Sequence, residues 1–422
     1  MAVLIRILSR AFLLFLLVFG NSKLSLAQSW QDLSPLNHPR FEASAVQYNE
    51  DIYVFNGFGP GINIEPTVEK FDAATKQWSV VSRTSVLAGN AVTHNGIIRT
   101  GNEAWVIGGR KGSHPGAVSD LVWKFNLSDN SWKTGPKLPV PSAAGGAALV
   151  NNHIHWIGGV DPQARCDVPN HFIYDLNLPS AGWQDISSVA GMPQPRNHFA
   201  TIVHEGLIYT IGGQFGHDNC PGKPAQDTNL VHAFNPQTMQ WTQKANLPMP
   251  QSHIEPSTFS YGGAIYVAGG ETSGNKIHRY DPSRDIWESV GDLPESLIAT
   301  VARVIDNRLV LGSGGAPNFR SPTVRAYSTD MTPLLLPNAV DNQTQVIADT
   351  NNDGLSDNPD NSNETNGLRD TPHSAVGLDE SLISLEAEYF DTNNDTNTHS
   401  WITTDLNAVS YTHLTLPTIY SV

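Results

Sequence analysis

Residues 209–213 read Y-T-I-G-G, a short apolar run stopped by two glycines, and the chain repeats this text. The same ending occurs as W-V-I-G-G at 105–109, W-I-G-G at 156–159 and Y-V-A-G-G at 266–270. Degenerate copies are Y-V-F-N-G at 53–57 and L-V-L-G-S-G-G at 309–315. Counted between the second glycines (Gly57, Gly109, Gly159, Gly213, Gly270 and Gly315), the copies stand 52, 50, 54, 57 and 45 residues apart. A period of this length means that one supersecondary unit is copied and stacked, because a single copy cannot bury its apolar face alone. The unit reads as a small antiparallel sheet. Its apolar runs have strand length, and Asn49 to Asp51, Asn95-Gly96, Asn151-Asn152, Glu205-Gly206, Gly262-Gly263 and Asp306-Asn307 carry the residues of tight hairpin turns.

An aromatic residue and then a tryptophan follow most glycine pairs. Phe71 precedes Trp78, Phe125 precedes Trp132, Phe234 precedes Trp241 and Tyr280 precedes Trp287, each by seven residues, and Tyr174 precedes Trp183 by nine. The sixth copy has Tyr327 without a tryptophan, while Trp30 stands ahead of the first copy without an aromatic partner. The segment around Trp30 is therefore expected to form the outermost strand of the last sheet, which removes the open seam of a ring of sheets. The aromatics are expected in the core between sheets. This succession of apolar run, Gly-Gly, spaced Tyr or Phe and Trp resembles the kelch repeat over residues 30–329. The resemblance implies an all-β fold, a six-bladed β-propeller over 28–330 closed by its N-terminal strand.

The flanking segments have a different character. Arg6, Arg10, the apolar stretch 11–20 and Ser25-Leu26-Ala27 make residues 1–27 a signal peptide, since the uncharged run is short for a membrane span. Export to the extracellular space, the cell surface or the periplasm of a bacterial cell is expected, with no transmembrane segment after cleavage. In that oxidising setting Cys166 and Cys220 fall seven residues after Gly159 and Gly213, in equivalent loops of neighbouring repeats. They form either a bridge closing a 54-residue loop or two free thiols too far apart to pair, and the bridge is the reading favoured.

The net charge of −15 is concentrated. Residues 341–405 hold 14 acidic residues and only Arg369 as a base, a balance of −13, so the repeats are nearly neutral. Without a basic patch, nucleic acid is not an expected partner. After a Pro-containing linker, 331–380 contains D-T-N-N-D-G-L-S-D-N-P-D-N, in which Asp349, Asn351, Asp353, Asp357 and Asp360 take relative positions 1, 3, 5, 9 and 12. The carbonyl of Leu355 falls at position 7 and Gly354 at the turn, the spacing by which a loop wraps Ca²⁺ with hard oxygens. It resembles a thrombospondin type 3 or dockerin-like loop, so calcium is the expected cofactor. Residues 381–408 resemble the start of a malectin or family-6 carbohydrate-binding β-sandwich, here truncated. Residues 409–422, with V-S-Y-T-H-L-T-L-P-T at 409–418, resemble translated sequencing adapter and are kept out of fold reasoning.

Alternating strand direction places the long connections between second and third strands on one face, together with the starts of the innermost strands. Function concentrates on such loops. On this face Arg40, Glu42, Arg196, His198, His253 and Glu255 open inner strands and are expected to converge at the channel mouth. The long loops add Arg110, His114, Arg165, His217, Asp218 and Glu271. Imidazole, guanidinium and carboxylate in one ring can hold a sugar, a carboxylate or a metal, and arginines at strand starts can instead tie sheets together through backbone carbonyls. The propeller resembles galactose oxidase-like proteins, whose copper needs two Tyr, two His and a Tyr–Cys cross-link. That set does not map here, so no copper is expected. Glu255, His253 and Arg196 could supply the acid and base of a sialic acid mutarotase. The expectation is a monomeric, non-catalytic module binding a glycan or an extracellular protein, with a sugar-modifying enzyme as the alternative.

Overall fold

In the first repeat Ile52, Tyr53, Val54, Phe55 and Phe71 are buried while turn residues such as Glu50 stay exposed, and burial of these apolar runs draws four strands into one antiparallel sheet. The strands are Ser44–Tyr48, Asp51–Phe55, Thr67–Asp72 and Gln77–Arg83. The computed structural model describes residues 28–83, 90–163, 166–216, 220–272, 274–316 and 321–335. The expected signal peptide, calcium loop, sandwich and adapter-like segment lie outside the described residues, as do Arg165, His217 and Asp218.

Five further four-stranded sheets follow the same plan. Their innermost strands are Gly96–Thr100, Gly146–Val150, Ala200–His204, Thr258–Tyr261 and Val301–Ile305. With Ser44–Tyr48 these six lie side by side in cyclic order, the sixth against the first. The protein is thus nearly all β, in antiparallel four-stranded sheets that agree with a propeller of the kelch type. Gln31–Asp32 supplies the outermost strand of the sixth sheet, with Gln31 opposite Ser328 and Asp32 opposite Tyr327. Trp30 meets the Tyr327 ring edge-on at 6.5 Å.

The aromatic pairs are cross-strand neighbours. Phe71 faces Trp78, Phe125 faces Trp132, Tyr174 faces Trp183, Phe234 faces Trp241 and Tyr280 faces Trp287, with ring centroids 4.9–5.4 Å apart. Such pairs contribute about 0.5–1.5 kcal/mol each beyond their buried area. Their indoles also reach back to the preceding sheet. The Trp183, Trp241 and Trp287 indoles donate to the carbonyls of Pro136, Ala190 and Ala245, and Trp30 does the same to Asp292 O at 2.9 Å.

Two details of register differ from the sequence reading. Asn95-Gly96 is not a hairpin turn: Gly96 begins an inner strand and the turn lies at Gly101 and Asn102. A Cβ on Gly96 would sit 3.1 Å from the Trp156 ring, against the neighbouring sheet, so packing selects this glycine. In the sixth repeat the glycine pair is matched by Ser313-Gly314 and not by Gly314-Gly315. Gly314 has φ 110°, like Gly109 at 96° and Gly213 at 104°, while Ser313 at 64° matches Gly108 and Gly212 at 62°.

The second glycine of each pair is required by a close approach. A Cβ on Gly213 would lie 2.6 Å from Asn197 O, and one on Gly109 would lie 2.6 Å from Thr93 O. The glycine thus admits the chain that enters the inner strand. Its amide bonds onward to the next sheet, Gly109 to Ser142 O, Gly213 to Gln251 O and Gly314 to Arg40 O.

Candidate functional site

The residue following that close approach holds an equivalent place in every repeat. These residues are Glu42, His94, Ala144, His198, His253 and Ala299, and all six have φ between 50° and 55°. Five of them stand two residues before their inner strand, whereas His253 is followed by an additional turn, closed by Ser257 N to Ile254 O, before Thr258–Tyr261 begins. The left-handed conformation costs an L-residue about 1–2 kcal/mol. A belt of backbone hydrogen bonds offsets this, running from Ala144 N to His94 O, His198 N to Ala144 O and His253 N to His198 O. Backbone strain held by its surroundings is characteristic of functional sites.

The belt turns its side chains into the mouth of the central channel. The His94 and His198 rings meet edge-on at 4.8 Å, and His198 and His253 lie 4.3 Å apart. Glu42 holds two of the three imidazoles, with Oε2 3.3 Å from His94 Nε2 and Oε1 3.5 Å from His253 Nε2. The other nitrogen of each ring is engaged nearby. His94 Nδ1 lies 2.8 Å from Thr93 Oγ1, His198 Nδ1 meets Asn197 Oδ1, and His253 Nδ1 lies 3.1 Å from Glu271 Oε2. Burial by itself would lower the His253 pKa, but the Glu271 hydrogen bond and the charge of Glu42 raise it above the ordinary imidazole value.

Behind the ring, the extra turn of the fifth repeat carries half-buried Glu255 into the channel. Its carboxyl is pushed up to about 8, first by burial and then by Glu42. Arg303 closes the cavity from the sixth inner strand, donating to the carbonyls of Pro256, Ala302 and Ala45 at 2.6–3.0 Å. Burial lowers its guanidinium to about 10. The small side chains of Ala144 and Ala299 leave gaps in the ring, beside a cavity of about 40 Å³.

Of the residues expected at the mouth, Glu42, His198, His253 and Glu255 are brought together there, and Glu271 stands at its rim. Arg40 and Arg196 are not. Both are fully buried and committed to their own sheets. Arg40 donates to Asn56 O, Thr67 O and Thr67 Oγ1 and pairs with buried Glu69 at 2.6 Å, while Arg196 donates to Gly212 O and to Thr210 O and Oγ1. A guanidinium two residues before the ring points away from the axis, where its fork satisfies carbonyls at the end of the second strand and, for Arg40, at the start of the third. Arg110 is likewise buried, in the short strand Arg110–Lys111, and His114 is exposed on its loop.

The sequence reading lacks His94, because its neighbours Asn95-Gly96 have the composition of a hairpin turn. A signal was present: Glu42, His94, Ala144, His198 and Ala299 each precede the second glycine by 15 residues. Of the two readings for the cysteines, the bridge is observed: Cys166 and Cys220 are joined, Cα atoms 4.8 Å apart, linking loops of the third and fourth sheets. Among the described residues no helix is long and apolar enough to cross a membrane.

A family model described as the KLHDC2/KLHL20/DRC7 Kelch-repeats domain matches residues 89–315, and a Kelch motif model matches 39–84. A kelch repeat-containing protein of Arabidopsis thaliana is 23% identical over 307 residues, covering 68% of this chain and 70% of its own length. The kelch-like protein terF of Aspergillus terreus is 22% identical over 304 residues, covering 67% and 62%. The leucine-zipper-like transcriptional regulator 1 homolog of Drosophila melanogaster is 25% identical over 304 residues, covering 66% of this chain and 30% of that protein. Among solved structures, that of YjhT matches with a TM-score of 0.55 at 16% identity, over 70% of this chain and 95% of its own, a likeness of fold.

Proposed function

This chain belongs to the kelch-repeat domain family, and we propose that it is a six-bladed, non-catalytic binding module that takes a protein partner at its channel mouth. Kelch-repeat proteins generally act as protein-binding modules. The observation that carries the reading here is the belt of Glu42, His94, His198 and His253, whose polar side chains are aimed at one opening on the face that bears the long loops. Six four-stranded sheets with cyclic neighbours support the blade count. The full chain, wild type and His94→Ala/His253→Ala, should be compared on arrays of extracellular proteins and of glycans. Protein binding that falls at least about tenfold in the variant supports the proposal. Glycan binding with the same loss reassigns the ligand to a sugar, and binding indifferent to the variant removes the mouth from consideration.

One observation favours an enzymatic second reading. Glu255, protonated up to about pH 8 and close to the ring, has the character of a general acid. Exchange of the anomers of free sialic acid, followed by NMR, tests it: a catalysed rate lost in Glu255→Gln supports it, and the uncatalysed rate ends it. The proposal also takes the protein as a monomer exported by residues 1–27. It further assigns 349–360 to calcium and 381–408 to a sugar-binding sandwich.

A further inference from the structure

We infer that Glu42, His94 and His198 form a binding site for one divalent first-row transition metal ion at the channel mouth, with His253 and Glu271 as its supporting pair. The inference concerns the same opening as the proposed partner site but needs no partner. Its test and the array experiment therefore fail independently.

The donor set comes first. One ligand atom from each of Glu42, His94 and His198 lies within 4.8 Å of the others. Two imidazoles and one carboxylate on one side of an ion, with other positions open, is a set used by first-row metals, whereas calcium and magnesium take oxygen. Zinc and its neighbours bind nitrogen and oxygen at about 2.0–2.2 Å, which places adjacent donors about 3–3.5 Å apart. His94 Nε2 and Glu42 Oε2 already stand at 3.3 Å.

The hydrogen bonds around the rings prepare the lone pairs. Asn197 Nδ2 donates to the Asp167 carboxylate, so the amide is oriented with Oδ1 toward His198. A carbonyl oxygen only accepts, hence His198 carries its proton on Nδ1 and offers Nε2 as a lone pair. Thr93 Oγ1, 2.8 Å from His94 Nδ1, can fix the same tautomer in that ring, leaving Nε2 for the ion. Such outer partners are what hold metal-ligating histidines in place. The second oxygen of Glu42 faces His253 Nε2 at 3.5 Å, and His253 Nδ1 faces Glu271 at 3.1 Å, so the carboxylate ligand has an outer partner of its own. At the ring positions beside these, Ala144 and Ala299 carry no donor and leave room for an exogenous ligand on the ion.

Co²⁺ titration of the full chain in millimolar Ca²⁺, which occupies the oxygen-rich segment after the propeller, reads the site by its ligand-field absorption. One Co²⁺ per chain is expected, displaced by one Zn²⁺, with the band abolished in His94→Ala and His198→Ala. His253→Gln is expected to weaken binding by about 10- to 100-fold. A wild-type chain without the band overturns the inference, as does a band that survives in both alanine variants. Near-UV circular dichroism checks their folding. A further chain, Asp353→Ala/Asp357→Ala, leaves the propeller untouched: binding retained there supports the site, and binding lost there assigns the ion to the acidic segment and overturns it.

Discussion

Acid should destabilise this propeller through a pair of histidines remote from the mouth. His155 and His171 are diagonal neighbours on the second and third strands of the third sheet, opposite Ile173 and Ile157, both buried, with His155 Nδ1 2.9 Å from His171 Nε2. His171 Nδ1 donates to Ala190 O at 2.7 Å, so its Nε2 accepts and both rings are neutral. Burial, reinforced by the other imidazole, lowers His155 from 6.5 to about 3, and burial lowers His171 to about 4. Between pH 6.5 and these values the unfolded chain binds more protons than the folded one, so stability is lost as pH falls. From pH 7.5 to 5.0 the loss is about 2 kcal/mol for each histidine, hence about 4 kcal/mol for the pair. His155→Leu/His171→Phe removes both titrating rings without orphaning a partner, because Ala190 O still accepts from Trp241 Nε1 and the new ring meets Phe234, 4.7 Å from the His171 ring. Urea unfolding of the full chain, followed by tryptophan fluorescence at both pH values, gives the two stabilities. Carboxylates contribute equally to both proteins, so the variant's loss should be smaller by about 4 kcal/mol. A loss within about 1 kcal/mol of the wild type would refute the reasoning.

Three other outcomes follow from the packing. Cys166→Ser/Cys220→Ser opens a 54-residue loop and should cost about 4 kcal/mol in a urea melt, without changing the aromatic near-UV spectrum. Gly213→Ala should cost more than about 3 kcal/mol, since φ is 104° and Asn197 O is 2.6 Å from the new Cβ; Gly101→Ala, at φ 54° in open space, should cost about 1 kcal/mol. Equal melts for the two would contradict the close approach. Trp30→Ala removes the edge contact with Tyr327 and the bond to Asp292 O, and should cost about 2–4 kcal/mol with exchange of Gln31–Asp32 amides rising first.

By itself the sequence determined the repeat and its closure. Glycine pairs, tight turns and Phe or Tyr before Trp are local requirements of strand pairing, copied with the unit, so counting recovers Trp30 as the partner of Tyr327. It also placed Glu42, His198, His253 and Glu255 on one face, because each lies where the chain enters an inner strand. Burial and register were decided only by the tertiary structure. Arg40 and Arg196 stand two residues from ring positions and look equally available, yet the nearby carbonyls of Thr67 and Thr210 draw them inside. His94 lies behind a false turn signal, and Gly96 is explained by Ala147 and Trp156 of the next sheet. The ring joins residues from four blades over more than 200 positions of sequence. No local pattern encodes which imidazoles meet one carboxylate, because that depends on how the inner strands of the sheets pack side by side.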